Sequence, residues 1–258
     1  MRVDIKILTL MMLLLVVTAA NAQMSQRILQ SRTFSELYIS GNVNVECRQS
    51  TDSAGMIIYS ATPPILDKIK CYNEGNRLNI SLDRTGTLDV TKHMSKVIVY
   101  YSGALSTISY TGAGRVVAIN PTVGNTVAVL LTGSGNLKVG PIKASHLSCA
   151  IAGSGNLSIS GDAVVKNITC TVSGSGAVEM ANVKADRTSA TVKGPGDFII
   201  NGRSEEASFA IKGSGNIEAS TLNCTKMTAG VYGSGRIYCS SRVTNLISSG
   251  KKENIIRR

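Results

Sequence analysis

The chain has 258 residues, a formal net charge of +11, no Trp and only 4% aromatic residues. Its Lys and Arg are scattered and no aromatics interleave them, which argues against nucleic acid as a partner and for a plain basic exterior, with which an acidic glycan or cell surface is compatible. Abundant Gly, Ser, Val, Ile and Asn with little helical periodicity exclude a helical bundle and predict an all-β protein.

Residues 1–22 read as a secretory signal peptide. Arg2 and Lys6 start it, an apolar run from Ile7 to about Val17 follows, and Ala20-Asn21-Ala22 supplies an A-x-A cleavage site. Cleavage is expected after Ala22, so the protein is expected to be exported: periplasmic, outer-membrane-associated or extracellular. No later apolar stretch is long enough to span a bilayer.

Residues 23–110 form a β-rich N-terminal part. "LYISGNVNVEC", "GMIIYSA", "RLNISL" and "SKVIVYYS" alternate apolar and polar residues as strands do. "PPILDKIK" suits one helical turn, since Pro63 and Pro64 fit a helix start. This part is expected to open and cap a stack whose ends need covering.

Residues 111–250 are a repeat. Gly-x-Gly begins at Gly112, Gly133, Gly153, Gly174, Gly194, Gly213 and Gly233, at intervals of 19 to 21 residues. A fixed period in this range is the mark of a solenoid. Apolar residues alternate on both sides of each turn: Val127, Val129 and Leu131 before the second one, Leu137 and Val139 after it. Each repeat is therefore strand, tight corner, strand and a short variable arc. A single repeat cannot bury its apolar edge; stacked repeats can, with strands ~4.8 Å apart and like residues in ladders. The glycine pairs Gly133 and Gly135, Gly153 and Gly155, Gly174 and Gly176, Gly194 and Gly196, Gly213 and Gly215, and Gly233 and Gly235 are expected to be structural turns, needed for positive φ and for close approach of successive rungs. Phosphate binding would need a helix after the glycines, and a strand follows each time. Residues 251–258 are a basic tail.

"TFSELYISGNVNVECRQS", "PPILDKIKCYNEGNRLNISL", "ISYTGAGRVV" and the serial "GSGNL" turns together resemble the head GIN domain family of exported Bacteroidota proteins, formerly a domain of unknown function and described as autotransporter adhesins. The resemblance covers about residues 32–240. It implies a right-handed parallel β-helix-like solenoid and a cell-envelope or extracellular location, and it brings no catalytic residues.

Three sets of side chains are candidates for chemistry. Asp186 and Glu205 each stand eight residues before a Gly-x-Gly, in neighbouring rungs. That places two carboxylates on the order of 5 Å apart, a retaining-glycosidase separation; solvated charge on the variable arc is the plainer account. Tyr232 and Tyr238 flank the Gly233 corner with Arg236 between them, a small binding patch or a cap under the C-terminal tail. Lys193 and Lys212 stack outward in consecutive rungs. Cys149 and Cys170 occupy one inward position in consecutive rungs, as a disulfide or as a ladder of buried thiols, and Cys47 and Cys71 are a second possible pair. His93 and His146 are isolated and no spacing is a zinc pattern, so neither metal nor cofactor is expected. The function expected from all this is a non-enzymatic, adhesin-like binding module for a glycan or cell-surface protein. The alternatives are a β-helix enzyme acting on acidic polysaccharide and a purely structural envelope protein.

Overall fold

The structure, a computed structural model, describes residues 25–82, 95–120 and 122–258. The leader and His93 lie outside the described residues. The strands in chain order are β1 (Ser25–Gln30), β2 (Glu36–Ser40), β3 (Asn44–Gln49), β4 (Met56–Ala61), β5 (Ile69–Glu74), β6 (Arg77–Leu82), β7 (Lys96–Tyr101), β8 (Thr107–Gly112), β9 (Arg115–Ala118), β10 (Thr122–Gly133) and β11 (Asn136–Val139). They continue as β12 (Ile142–Gly153), β13 (Asn156–Ile159), β14 (Ala163–Ser173), β15 (Ala177–Val192), β16 (Asp197–Ile211), β17 (Ile217–Ala219), β18 (Leu222–Val231), β19 (Ile237–Cys239), β20 (Asn245–Gly250) and β21 (Ile255–Arg257). A single helical turn, Pro63–Leu66, stands where the two prolines put it.

The chain is an all-β solenoid of stacked parallel coils. From β8 onward each strand pairs in parallel with the strand one repeat later, and the register holds residue for residue: Val129, Cys149, Cys170, Ala190, Phe209 and Ala229 form one inward ladder. Leu137, Leu157, Val178, Phe198, Ile217 and Ile237 form the facing one, and every one of these residues is buried. Volume is balanced along the first ladder. Phe209 lies between Ala190 and Ala229, and its ring meets Phe198 edge-on at a centroid distance of 6.1 Å.

The Gly-x-Gly corner has a backbone reason. The N–H of the second glycine donates to the carbonyl of the first glycine one rung earlier: Gly135 to Gly112 O at 2.9 Å, Gly155 to Gly133 O at 2.9 Å, Gly196 to Gly174 O at 2.8 Å and, more loosely, Gly235 to Gly213 O at 3.4 Å. Rungs this close leave no room for a side chain, and a Cβ on Gly215 would lie 1.8 Å from Gly196 O.

The expectation of positive φ at these turns needs correction. It holds at the first glycine in Gly133, Gly153 and Gly174, whereas Gly194, Gly213 and Gly233 are outside the left-handed region. It holds at none of the second glycines: Gly135, Gly155, Gly176, Gly196, Gly215 and Gly235 all lie outside that region. Gly135 and Gly235 are not turning points of the backbone. Each is a buried residue just past the bend, leading into the next strand. What excludes a side chain there is space alone. A Cβ on Gly135 would run into the ring of Tyr110 and into Gly114 O, and one on Gly235 would run into Gly215 O. Close approach is therefore the general requirement of the corner, and chain reversal falls to the first glycine and the residue after it.

The N-terminal part joins the same stack out of chain order. β2 pairs in parallel with β6 on one side and β8 on the other, and β3 lies likewise between β7 and β9. The β2–β3 rung is thus inserted between a later rung and the first Gly-x-Gly rung. Beyond β6 and β7 the pairing turns antiparallel: β5 on β6, β4 on β7 and β1 on β4. These strands end the ladder on that side, as a solenoid cap must.

Candidate functional site

Each coil of the stack has three changes of direction. The Gly-x-Gly corner is the first. The second lies at Gly140, Gly161, Asn182 and Gly202; Asn182 has a φ of 53° and its N–H donates to Asn201 Oδ1 at 2.8 Å. The third is a bend inside the long strands, where two successive residues are exposed, as at Asp186-Arg187 of β15.

An open groove of 580 Å³ runs along this bend. One wall is the exposed column Val123, Lys143, Val164, Lys184 and Arg203, which Asn223 of β18 extends in register past the end of the groove. The other carries Ser145, Lys166, Asp186 and Glu205. The floor is made of the residues between, which point inward and are small: Gly124, Ala144 and Ala185, with Val165 the largest. A smaller hollow lined by Arg203, Ser204, Asn223, Thr225 and Arg242 continues it toward the C-terminus. Under the floor at the carboxylate rungs, the buried hydroxyls of Thr188 and Ser204 meet at 3.0 Å, and Ser204 donates to Glu206 O at 2.8 Å. That pair satisfies the polar groups the bend takes from water.

The electrostatics of the groove are uneven. Lys184 pairs with Asp162 at 3.3 Å. Among the described residues Lys143, Lys166, Arg203 and Arg242 have no carboxylate partner, and neither Asp186 nor Glu205 has a cationic one. Just outside the groove Glu206 bridges Arg187 at 3.2 Å and Lys226 at 3.6 Å, and the hydrogen bond from Arg187 holds its carboxyl below the usual range.

The structure brings Asp186 and Glu205 onto one wall of this groove, on adjacent strands and both exposed. The tyrosine patch is partly occupied. Tyr238 is half-buried with Arg258 Cζ 3.8 Å above its ring, while Tyr232 is 60% exposed and its hydroxyl meets Ser249 Oγ at 3.0 Å. Arg236 is exposed between them. Lys193 and Lys212 are exposed beside the Gly-x-Gly corner, away from the groove lining.

All six cysteines are free thiols. Cys149 and Cys170 do stand opposite each other in register. Parallel neighbours keep their Cα–Cβ bonds side by side at the ~4.8 Å strand spacing, beyond the ~3.8 Å Cβ separation a disulfide prefers. Cys47 on β3 and Cys71 on β5 lie on strands that do not pair with each other. Burial pushes Cys47 and Cys71 up to about 12 and Cys149 and Cys170 upward as well, so these thiols stay neutral. No group of three His, Cys, Asp or Glu among the described residues is placed to hold a metal ion, and no helix among them is long and apolar enough to cross a membrane.

Comparison with known proteins places the fold. The family model described as "Putative auto-transporter adhesin, head GIN domain" matches residues 33–201 and 164–248. A "putative adhesin" from Bacteroides fragilis is similar at 19% identity and a TM-score of 0.69, over 92% of this chain and 98% of that one. A "putative adhesin" from Parabacteroides merdae gives 15% identity and a TM-score of 0.75, over 92% and 97%. A "Putative lipid binding protein" from Parabacteroides distasonis gives 23% identity and a TM-score of 0.67, over 90% and 98%. No protein of curated function matches. With its matched segments running from residue 33 to residue 248, the chain belongs to the head GIN domain family.

Proposed function

We propose that the protein is an exported, non-enzymatic binding module of the cell envelope or extracellular space, adhesin-like in role, that meets a glycan or a cell-surface protein with its bend groove. The observation that carries this reading is the groove itself. It crosses successive rungs in register, stays open along its length and, Lys184 apart, lines its walls with charged side chains that have no ionic partner among the described residues. A rigid stack holds those side chains in place before any ligand arrives, which lowers the ordering cost of binding. The description of the family as adhesins supports the same role.

One observation favours an enzymatic reading, the adjacency of Asp186 and Glu205 in a groove. Glycosidase carboxylates flank the scissile bond and work from two different environments, one as acid and the other as base or nucleophile. Here both stand on the same wall and both are exposed, so binding is the stronger reading.

The test incubates the purified protein with acidic and neutral polysaccharides and with intact cells, recording protein retention and new chain ends over a day. Retention without new ends is the expected result. New ends that vanish in Asp186→Asn/Glu205→Gln would replace the module with an enzyme.

A further inference from the structure

Building on the groove as the binding surface, we propose that its ligand is a linear acidic polysaccharide, laid along the stack axis with its carboxylates or sulfates on Lys143, Lys166, Arg203 and Arg242. Shape is the first reason. From Val123 to Asn223 the column crosses five strand spacings, ~24 Å at ~4.8 Å per rung, with one residue of each strand in register. Gly124, Ala144 and Ala185 keep the floor low enough for a chain to lie against the backbone. Val123 and Val164, 51% and 41% exposed, give apolar steps between the cations, suited to the C–H faces of sugar rings.

Charge is the second reason. The four cations without carboxylate partners outnumber Asp186 and Glu205, in a chain carrying +11. The two carboxylates decide between polyanions. A nucleic acid carries a phosphate at every nucleotide and would be repelled by Asp186 and Glu205; nor is there an aromatic among the described residues that line the groove to stack a base. An acidic glycan spaces its charges with hydroxyls, and a carboxylate opposite a hydroxyl accepts a hydrogen bond from it. Mixed walls with a net positive balance therefore match a polymer of alternating anions and hydroxyls.

The decisive experiment compares two double variants of the full protein with equal change of charge. Lys143→Glu/Arg203→Glu reverses the groove; Lys193→Glu/Lys212→Glu reverses the exposed pair outside it. Thermal unfolding first establishes that both fold as the parent does, and binding is then measured to polygalacturonate, heparin and neutral dextran, and to intact cells. The expected result is binding to one or both acidic polymers, weakened roughly tenfold or more by the groove variant and little by the other. It also falls with added salt. Equal losses in both variants would overturn the groove as the site. Binding to dextran or cells that ignores the groove charges would overturn the acidic ligand while leaving the binding module standing. No retention on any surface would overturn both.

Discussion

The Gly-x-Gly corner and the bend turn the same chain through the same stack, and they are built in opposite ways. At the corner the backbones of neighbouring rungs touch: a Cβ on Gly176 would lie 2.0 Å from Gly155 O, and one on Gly233 would lie 1.8 Å from Gly213 O. Nothing but glycine fits, so the corner has few side chains to vary. At the bend the turn comes from two successive outward residues over a small inward one, and the inward residue is Gly, Ala, Val, Ser or Cys according to the rung. Side chains there are free to differ from rung to rung. A corner closed by backbone contact carries the architecture, and a bend closed by side chains has room for recognition.

Substitution of glycine by alanine at the two places would break that contrast most visibly. Gly215→Ala is expected to cost on the order of 4 kcal/mol or more, because the added methyl meets a backbone carbonyl in the hydrogen-bonded corner of the neighbouring rung. Gly124→Ala at the bend has only ordinary contact, its nearest neighbour at 3.6 Å, and is expected to be neutral or to stabilise by about 0.5 kcal/mol. Urea denaturation of both variants measures the difference. Equal effects would mean that the corner is not held by contact between rungs.

Between these extremes lies the core that both turns enclose. Phe209→Ala should cost ~3–5 kcal/mol, since Ala190 and Ala229 on either side leave nothing to fill the space. Smaller still is the contribution of the thiols, and it has a pH signature. Cys47 ionises at about 12 in the fold against an ordinary 9.0, so the unfolded chain loses its proton first as pH rises. The stabilisation is complete below pH 9 and is lost between pH 9 and 12, with on the order of 1 kcal/mol gone by pH 10 for one such thiol. Cys47→Ala should therefore flatten the fall in denaturation midpoint between pH 8 and pH 10. The same burial makes Cys149 and Cys170 unreactive toward thiol reagents until the stack unfolds; rapid labelling of either in the native protein would contradict the ladder of thiols.

What the sequence made legible follows the same division. The Gly-x-Gly corners and the inward ladders from Val127 to Cys239 were readable because backbone contact and period-two burial leave fixed residue types at fixed intervals. The reason for each glycine was less readable. Gly135 and Gly155 recur in the pattern at the same interval as Gly133 and Gly153, yet a residue type cannot say whether a side chain is excluded by φ or by a neighbouring rung. The second corner was not read. Gly140, Gly161 and Gly202 stand at it in three rungs, but Asn182 takes the turn in another and Ser220-Thr221 in a further one, so the residue types leave a broken signal. The insertion of the β2–β3 rung between β6–β7 and β8–β9 was not readable either, because alternation shows that a strand exists and not which strand it joins. For the site, the carboxylates at Asp186 and Glu205 were visible as a pair, whereas the groove was not. A groove is a relation between two columns separated by an inward residue, and no local pattern records how the chain bends between them.

Those two carboxylates give the smallest expected effect, and the one that best separates the roles of corner and bend. Asp186→Asn/Glu205→Gln removes two charges from exposed side chains that have no ionic partner among the described residues, so the unfolding temperature should not move. The amides keep an oxygen that accepts a hydroxyl, and the groove becomes more positive. Binding to an acidic polysaccharide should hold or tighten by roughly threefold at most, with the difference shrinking as salt is added. A large loss of binding would mean that the carboxylates themselves grip the ligand, through a cation or a basic group, and that the groove reads a different chemistry from the one its lysines and arginines suggest.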